Sequence, residues 1–265
     1  MWGQSRNVDG VNLIVDEDDS LLSFTATGFA DPRPVVWQAI ERSITPLEAV
    51  RPNIAPPPDC PQAMAVLSGL GLEVVADHGV WLGELNGLEV ARVGLRGEEC
   101  EVDIGVGAYD QFASAALSVD RDDQAALSQV VEMVKPHRVA GAAPHPIGRL
   151  VRSRWLRNQL IADPSLIGLQ TLHPTPLLIA RPGLVESQPA AALGTDAEEL
   201  KVLVVCSTGI DLGVAETAAG LTALLAPDRI MVVMPARDHH ERIAKSLSAL
   251  TCPAELVAIE GDWSD

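Results

Sequence analysis

Lys201-Val202-Leu203-Val204-Val205-Cys206 is a short, nearly unbroken apolar run. A strand that reads this way is covered on both faces, as parallel strands are when helices flank their sheet. Two further runs follow, Arg229 to Met234 and Glu255 to Ile259, separated by the helical stretches Leu212 to Leu225 and His239 to Leu250. Right-handed crossovers turn this order into a small, Rossmann-like parallel β-α-β-α-β unit over residues 200–265. Asp211 and Asp238 stand where helix N-caps belong, and Asp238 with Glu241 has the spacing of a capping box.

Working back, residues 182–199 are rich in Pro, Ala, Gly and acids and read as a linker. Residues 59–181 read as an α+β domain. A helix ends at Gly71, and a three-stranded meander follows over Val80 to Leu85, Leu88 to Leu95 and Cys100 to Val106. Asn86-Gly87 joins the first two strands with the dipeptide that best accepts positive φ at both positions. Helices are expected over Asp110 to Leu117, Asp123 to Val134 and Leu150 to Ala162. Residues 1–58 suggest a strand pair, Val11 to Val15 and Leu21 to Thr25, around the acidic tip Asp16 to Ser20. A short helix over Val36 to Ser43 and a proline-rich exit complete that segment. The fold class is therefore α/β, an N-terminal mixed region with an antiparallel β-meander and helices followed by the parallel unit.

The chain has 265 residues and a formal net charge of −17, with three Phe and one Tyr. So few aromatic rings argue against a platform that stacks single-stranded bases. A uniform anionic field repels nucleic acid and acidic membranes, but segregated charges escape that argument. No run reaches the roughly eighteen apolar residues of a membrane span, and Met1 to Arg6 lacks the apolar stretch of a secretory signal. Cys60, Cys100, Cys206 and Cys252 form no C-x-x-C pair and read as buried free thiols, which places the chain in the cytoplasm.

The charges are indeed segregated. Between Lys135 and Asn158 lie Lys135, Arg138, Arg149, Arg152, Arg154 and Arg157 with His137 and His145, and no acid. Guanidinium forks grip phosphate or carboxylate with two bonds, which a lysine cannot do. Facing outward, six phosphate contacts would give a log–log salt slope of about −5. Facing inward, the same arginines would neutralise the chain's own surplus carboxylates.

Two further sets of residues invite chemistry. Glu84, Glu89, Glu101 and Asp103 fall on neighbouring strands; paired carboxylates there can hold Mg²⁺ or Mn²⁺ for phosphodiester hydrolysis, with Glu89, Glu101 and Asp103 the candidate ligands. A solvated sheet face is the competing reading. Ser207, Thr208 and Gly209, with Arg237, stand at the carboxyl ends of the parallel strands, where open sheets place ligands such as phosphates. Neither G-x-G-x-x-G nor a P-loop motif accompanies them.

The helix and acid-bearing meander over residues 60–117 resemble the core of the PD-(D/E)XK nucleases. That resemblance implies a nuclease-like domain, yet the motif lysine is missing. Asp103 stands two residues after Glu101, and Ala91 two after Glu89, with Arg92 one further on. Gly87 to Arg92, Gly105 to Asp110, Pro144 to Pro146 and Arg154 to Arg157 together also resemble a group of bacterial proteins to which no activity is assigned. The leading expectation is an anion- or nucleic-acid-associated protein using the arginine helix, with a divergent or inactive nuclease as its sharper form. The alternative is a non-catalytic interaction or scaffold protein whose arginine helix docks on an acidic partner or its own acidic surface. The partner is then a phosphate-bearing ligand, a nucleic acid or an acidic protein, with no membrane, and a homo-oligomer stays open. Whether the chain is an enzyme is left undecided.

Overall fold

The computed structural model describes residues 8–107, 123–180, 183–184 and 188–261. The helix expected over 110–117 lies outside them, as do Asp110 and Pro182.

The N-terminal region departs most from its expectation. Strand β1 (Val11–Val15) is followed by helix α1 (Ser20–Ala26), strand β2 (Pro34–Ile40) and strand β3 (Ser43–Pro46). The Asp19 carboxylate accepts the Leu22 N–H at 2.8 Å, so the acidic stretch read as a hairpin tip ends in a helix cap. Consecutive burial of Ser23, Phe24, Thr25 and Ala26 then requires a helix seated in the core, where a half-buried strand would alternate. The helix expected from Val36 is strand β2, which pairs with β1 in parallel and with β3 antiparallel. Adjacent β-branched residues and Trp37 favour a strand there, and Pro34 occupies its first position.

Helix α2 (Pro61–Gly69) leads into an antiparallel sheet of four strands where three were expected: β4 (Glu73–Asp77), β5 (Val80–Leu85), β6 (Leu88–Arg96) and β7 (Glu99–Ile104). Asn86 and Gly87 have φ of 46° and 77°, as the turn dipeptide requires. Cys60 and Cys100 form a disulfide, contrary to their reading as free thiols, because the fold brings the edge strand β7 beside the start of α2. Cys206 and Cys252 are free and buried. Helix α3 (Asp123–Val134) follows, then a 3₁₀ turn over Lys135–His137 and the single turn α4 (Pro146–Arg149). Leu150 is extended and Val151 has φ of 41°, so the helix expected from Leu150 begins instead as α5 (Arg152–Ala162).

The last sheet has five strands in the order β12-β11-β10-β9-β8: β8 (Leu169–Thr175), β9 (Ala190–Asp196), β10 (Lys201–Cys206), β11 (Arg229–Pro235) and β12 (Ala254–Ile259). Strands β10, β11 and β12 run parallel, joined through helices α6 (Val214–Leu225) and α7 (Glu241–Leu247), as the apolar runs imply. Strand β9 falls within the stretch read as a linker. Its Ala and Gly residues suit a central position between closely packed neighbours, and the Asp196 carboxylate closes the turn by accepting the Glu198 and Leu200 N–H groups.

Apolar packing orders these elements in layers. Helices α6 and α7 cover one face of the five-stranded sheet through Leu203, Val205, Val232, Ile243 and Leu247. Leu156 and Leu160 of α5 cover the other face, against Val204, Cys206 and Met231. The four-stranded sheet packs α2 and α3 on its own apolar face through Leu67, Val93 and Leu127. Helix α5 therefore lies between the two sheets. Among the described residues no helix is long and apolar enough to cross a membrane.

Two glycines lie where separate elements approach backbone to backbone. A Cβ on Gly28 would overlap the Ala219 carbonyl where α1 crosses α6, and one on Gly87 would overlap the Arg154–Trp155 peptide of α5. Either Gly28→Ala or Gly87→Ala should cost about 2–3 kcal/mol of stability, read as a fall in the denaturation midpoint with unchanged slope.

Candidate functional site

The second face of the four-stranded sheet sets a row of acids beside the buried Val75 and Leu82, and its register explains what meets it. Glu73 is opposite Glu84, and Glu84 opposite Glu89, so three carboxylates lie abreast on β4, β5 and β6. An irregularity between Gly83 and Glu84 lets Glu89 and Arg92 share that face, with the Arg92 Nε donating to Glu89 at 3.0 Å.

Helix α5 supplies the countercharge. Arg154 and Arg157 are three apart and so project from one side of the helix. Arg154 donates to one oxygen of Glu84 at 2.8 Å and Arg157 to the other at 2.5 Å. Glu84 has no solvent exposure. Arg157 also donates to the Asn158 side-chain oxygen. Arg154 reaches Asp77 at 3.4 Å, and the other oxygen of Asp77 meets His78 Nδ1 at 2.6 Å. A chain of contacts thus runs from Arg157 through Glu84, Arg154 and Asp77 to His78.

Arg138 is equally buried but is held differently. With no exposure, it donates to the Leu150 carbonyl at 2.9 Å and to the Asn86 carbonyl, and its guanidinium lies 4.5 Å over the Trp155 ring. Burial outweighs the attraction of Glu84 and pulls its pKa down to about 10. Through Asn86 it ties the β5–β6 turn to the segment that enters α5. Glu73 is the uncomfortable member of the row. Burial and then the neighbouring Glu84 raise its pKa, and its Oε2 is buried without a hydrogen bond.

The structure therefore divides the six cations of the arginine segment. Arg138, Arg154 and Arg157 are interior, Arg152 is half-buried, and Lys135 and Arg149 are exposed. Lys135 is 4.0 Å from Glu132, and the His137 and His145 rings stack at 3.7 Å near these exposed charges.

The candidate metal ligands are not gathered. Glu89 is held by Arg92, Glu101 pairs with Arg96, and Asp103 lies in register with Arg92. Among the described residues no group of three or more His, Cys, Asp or Glu side chains is placed to hold a metal.

At the carboxyl edge of the parallel strands the backbone donors already have partners. The Thr208 N–H donates to Ser153 Oγ, and the Gly209 N–H to Asp238 at 2.8 Å. Asp238 is therefore not the cap of α7: His240 Nδ1 accepts the Arg242 N–H in that role. Asp211 accepts the Gly213 N–H, one residue before α6 begins. Ser207 is buried, while Arg237 is exposed beside Asp238.

The chain matches no protein-family model, no curated protein and no solved structure. Sequence reasoning named Arg154 and Arg157 and missed Glu73, Asp77 and His78. It noted Glu84 only in the acidic set of the meander, read either as a metal-holding face or as a solvated one. The available signal was an acid inside an apolar strand, facing a helix whose arginines have no acid on their own segment.

Glu84→Gln leaves two buried guanidinium groups without a full countercharge and should cost about 3–5 kcal/mol in a denaturant titration. Glu73→Gln should act oppositely. A raised folded pKa means the cost is absent below the ordinary glutamate range and grows as pH rises through the folded value. The variant should therefore melt above the wild type at neutral pH, and the two should converge on acidification.

Proposed function

We propose that this chain works as a non-catalytic interaction or scaffold protein, in which the arginine helix docks on the protein's own acidic sheet. The supporting observation is Glu84. An unexposed carboxylate that receives Arg154 on one oxygen and Arg157 on the other leaves neither guanidinium fork for an outside anion. These bonds lie between two sheets, where an isolated charge would be expensive, so the arginines serve cohesion first. Outside this layer the chain keeps its anionic excess, which suits partners that bear basic residues.

A second reading retains one specific support. Lys135 and Arg149 are exposed, with Arg152 half-buried between them and the seam. That reduced set limits a nucleic-acid role to two or three phosphate contacts, a salt slope of about −2 to −3 in place of −5.

Fluorescence anisotropy with labelled DNA and RNA at low salt separates the two readings. The interaction reading expects no saturable binding. Binding with the shallower slope that disappears in Arg149→Ala would defeat it. The paired variant Arg154→Met, Arg157→Met should lower the melting temperature whether or not nucleic acid is present.

A further inference from the structure

Among the described residues, nothing pairs with the outer edge of the three-stranded N-terminal sheet, and one of its faces carries exposed apolar side chains. Along its register Asn12 and Ile14 of β1 lie beside Val35 and Trp37 of β2, and Ala39 lies beside Ile44 of β3. On this face Ile14 is 62% exposed, Val35 43% and Ile44 54%, three apolar side chains on one face of the sheet. The opposite face holds Val36, which is buried, while Leu13 and Ile40 on that face are 37% and 51% exposed. Neighbouring apolar side chains left exposed in this way are candidates for contact with a partner.

The two edges of the sheet differ. Strand β3 is four residues long and ends in Pro46, features that blunt an edge. Strand β1 is Val-Asn-Leu-Ile-Val, with no charge, no proline and no glycine, and among the described residues it pairs on one side alone, with β2. Its outward row of N–H and C=O groups is a template for another strand. Immediately after it come Asp16, Glu17, Asp18 and Asp19, all exposed, and no salt bridge among the described residues engages them.

The charge at that end decides what fits. A second copy of this chain, paired antiparallel through β1 with Val11 opposite Val15, would set Asp9 of each copy opposite Glu17 of the other. Like charges directly opposite across strands are destabilising, and each copy also carries a net charge of −17. An apolar strand with a basic end satisfies both the edge and the acidic run.

We infer that the free edge of β1 docks an extended segment of another protein, apolar along its length and carrying lysine or arginine at the end that meets Asp16 to Asp19. This rests on the interaction reading above and names the partner it takes. The added strand lays its apolar side chains beside Ile14 and extends the sheet by one member.

The test titrates the full chain with a labelled short peptide alternating valine and threonine, made once with lysines and once with glutamates at one end. Anisotropy and amide exchange over residues 11–15 are the readouts. The lysine-ended peptide should bind saturably and slow exchange in β1, while the glutamate-ended one should not. Glu17→Lys should weaken the lysine-ended peptide about tenfold, and Ile14→Lys, which changes an exposed position, should abolish binding without altering the melting temperature. Equal binding of the two peptides, or binding of neither, overturns the inference. So does a concentration-dependent dimer of the wild type that Ile14→Lys dissolves, since a second copy then occupies the edge. Nucleic-acid binding through Arg149 would instead sink the interaction reading and leave the peptide result to stand on its own.

Discussion

Two guanidinium groups closing on one buried carboxylate hold this molecule's halves in register. Glu84 belongs to the four-stranded sheet, while Arg154 and Arg157 belong to a helix whose other side is apolar and packed on the five-stranded sheet. Hydrophobic contact would let that helix slide or turn against either sheet at modest cost. A two-pronged ion pair allows one position, since any displacement strands charge in the interior. The neighbouring contacts extend the same constraint: Arg154 to Asp77, Arg138 to the carbonyls of Asn86 and Leu150, and the backbone approach of Gly87 to the helix.

Much of the C-terminal half was legible because its physics is local. Continuous apolar runs announce strands covered on both faces, and β10, β11 and β12 are such strands, in the expected parallel arrangement. The Asn86-Gly87 turn was readable for the same reason, a backbone demand met by the residues at that spot. The N-terminal region was not. Leu21 to Thr25 and Val36 to Ser43 are short apolar stretches whose periodicity permits helix or strand. Tertiary burial and the Asp19 cap decide the first, and pairing with β1 decides the second. Strand β9 was hidden by a composition of Ala and Gly that serves a tightly packed central strand as well as a linker.

The candidate site shows the same division. The arginine segment stood out by composition, yet composition carries no direction. Whether Arg154 points outward or inward depends on Glu84 and Asp77, which lie 70 and 77 residues away in the chain. The disulfide between Cys60 and Cys100 is another contact between distant segments that no spacing rule reveals.

Within the layer between the sheets, Glu73, Asp77, Glu84 and Glu89 stand against Arg92, Arg138, Arg154 and Arg157, four formal negative charges against four positive. That layer is thus nominally self-cancelling, and the whole surplus of −17 belongs to the remainder of the chain. Cohesion and colloidal behaviour are consequently governed by separate sets of residues. Dissolved ions moderate the mutual repulsion of neighbouring molecules while hardly reaching the contacts that keep each one assembled.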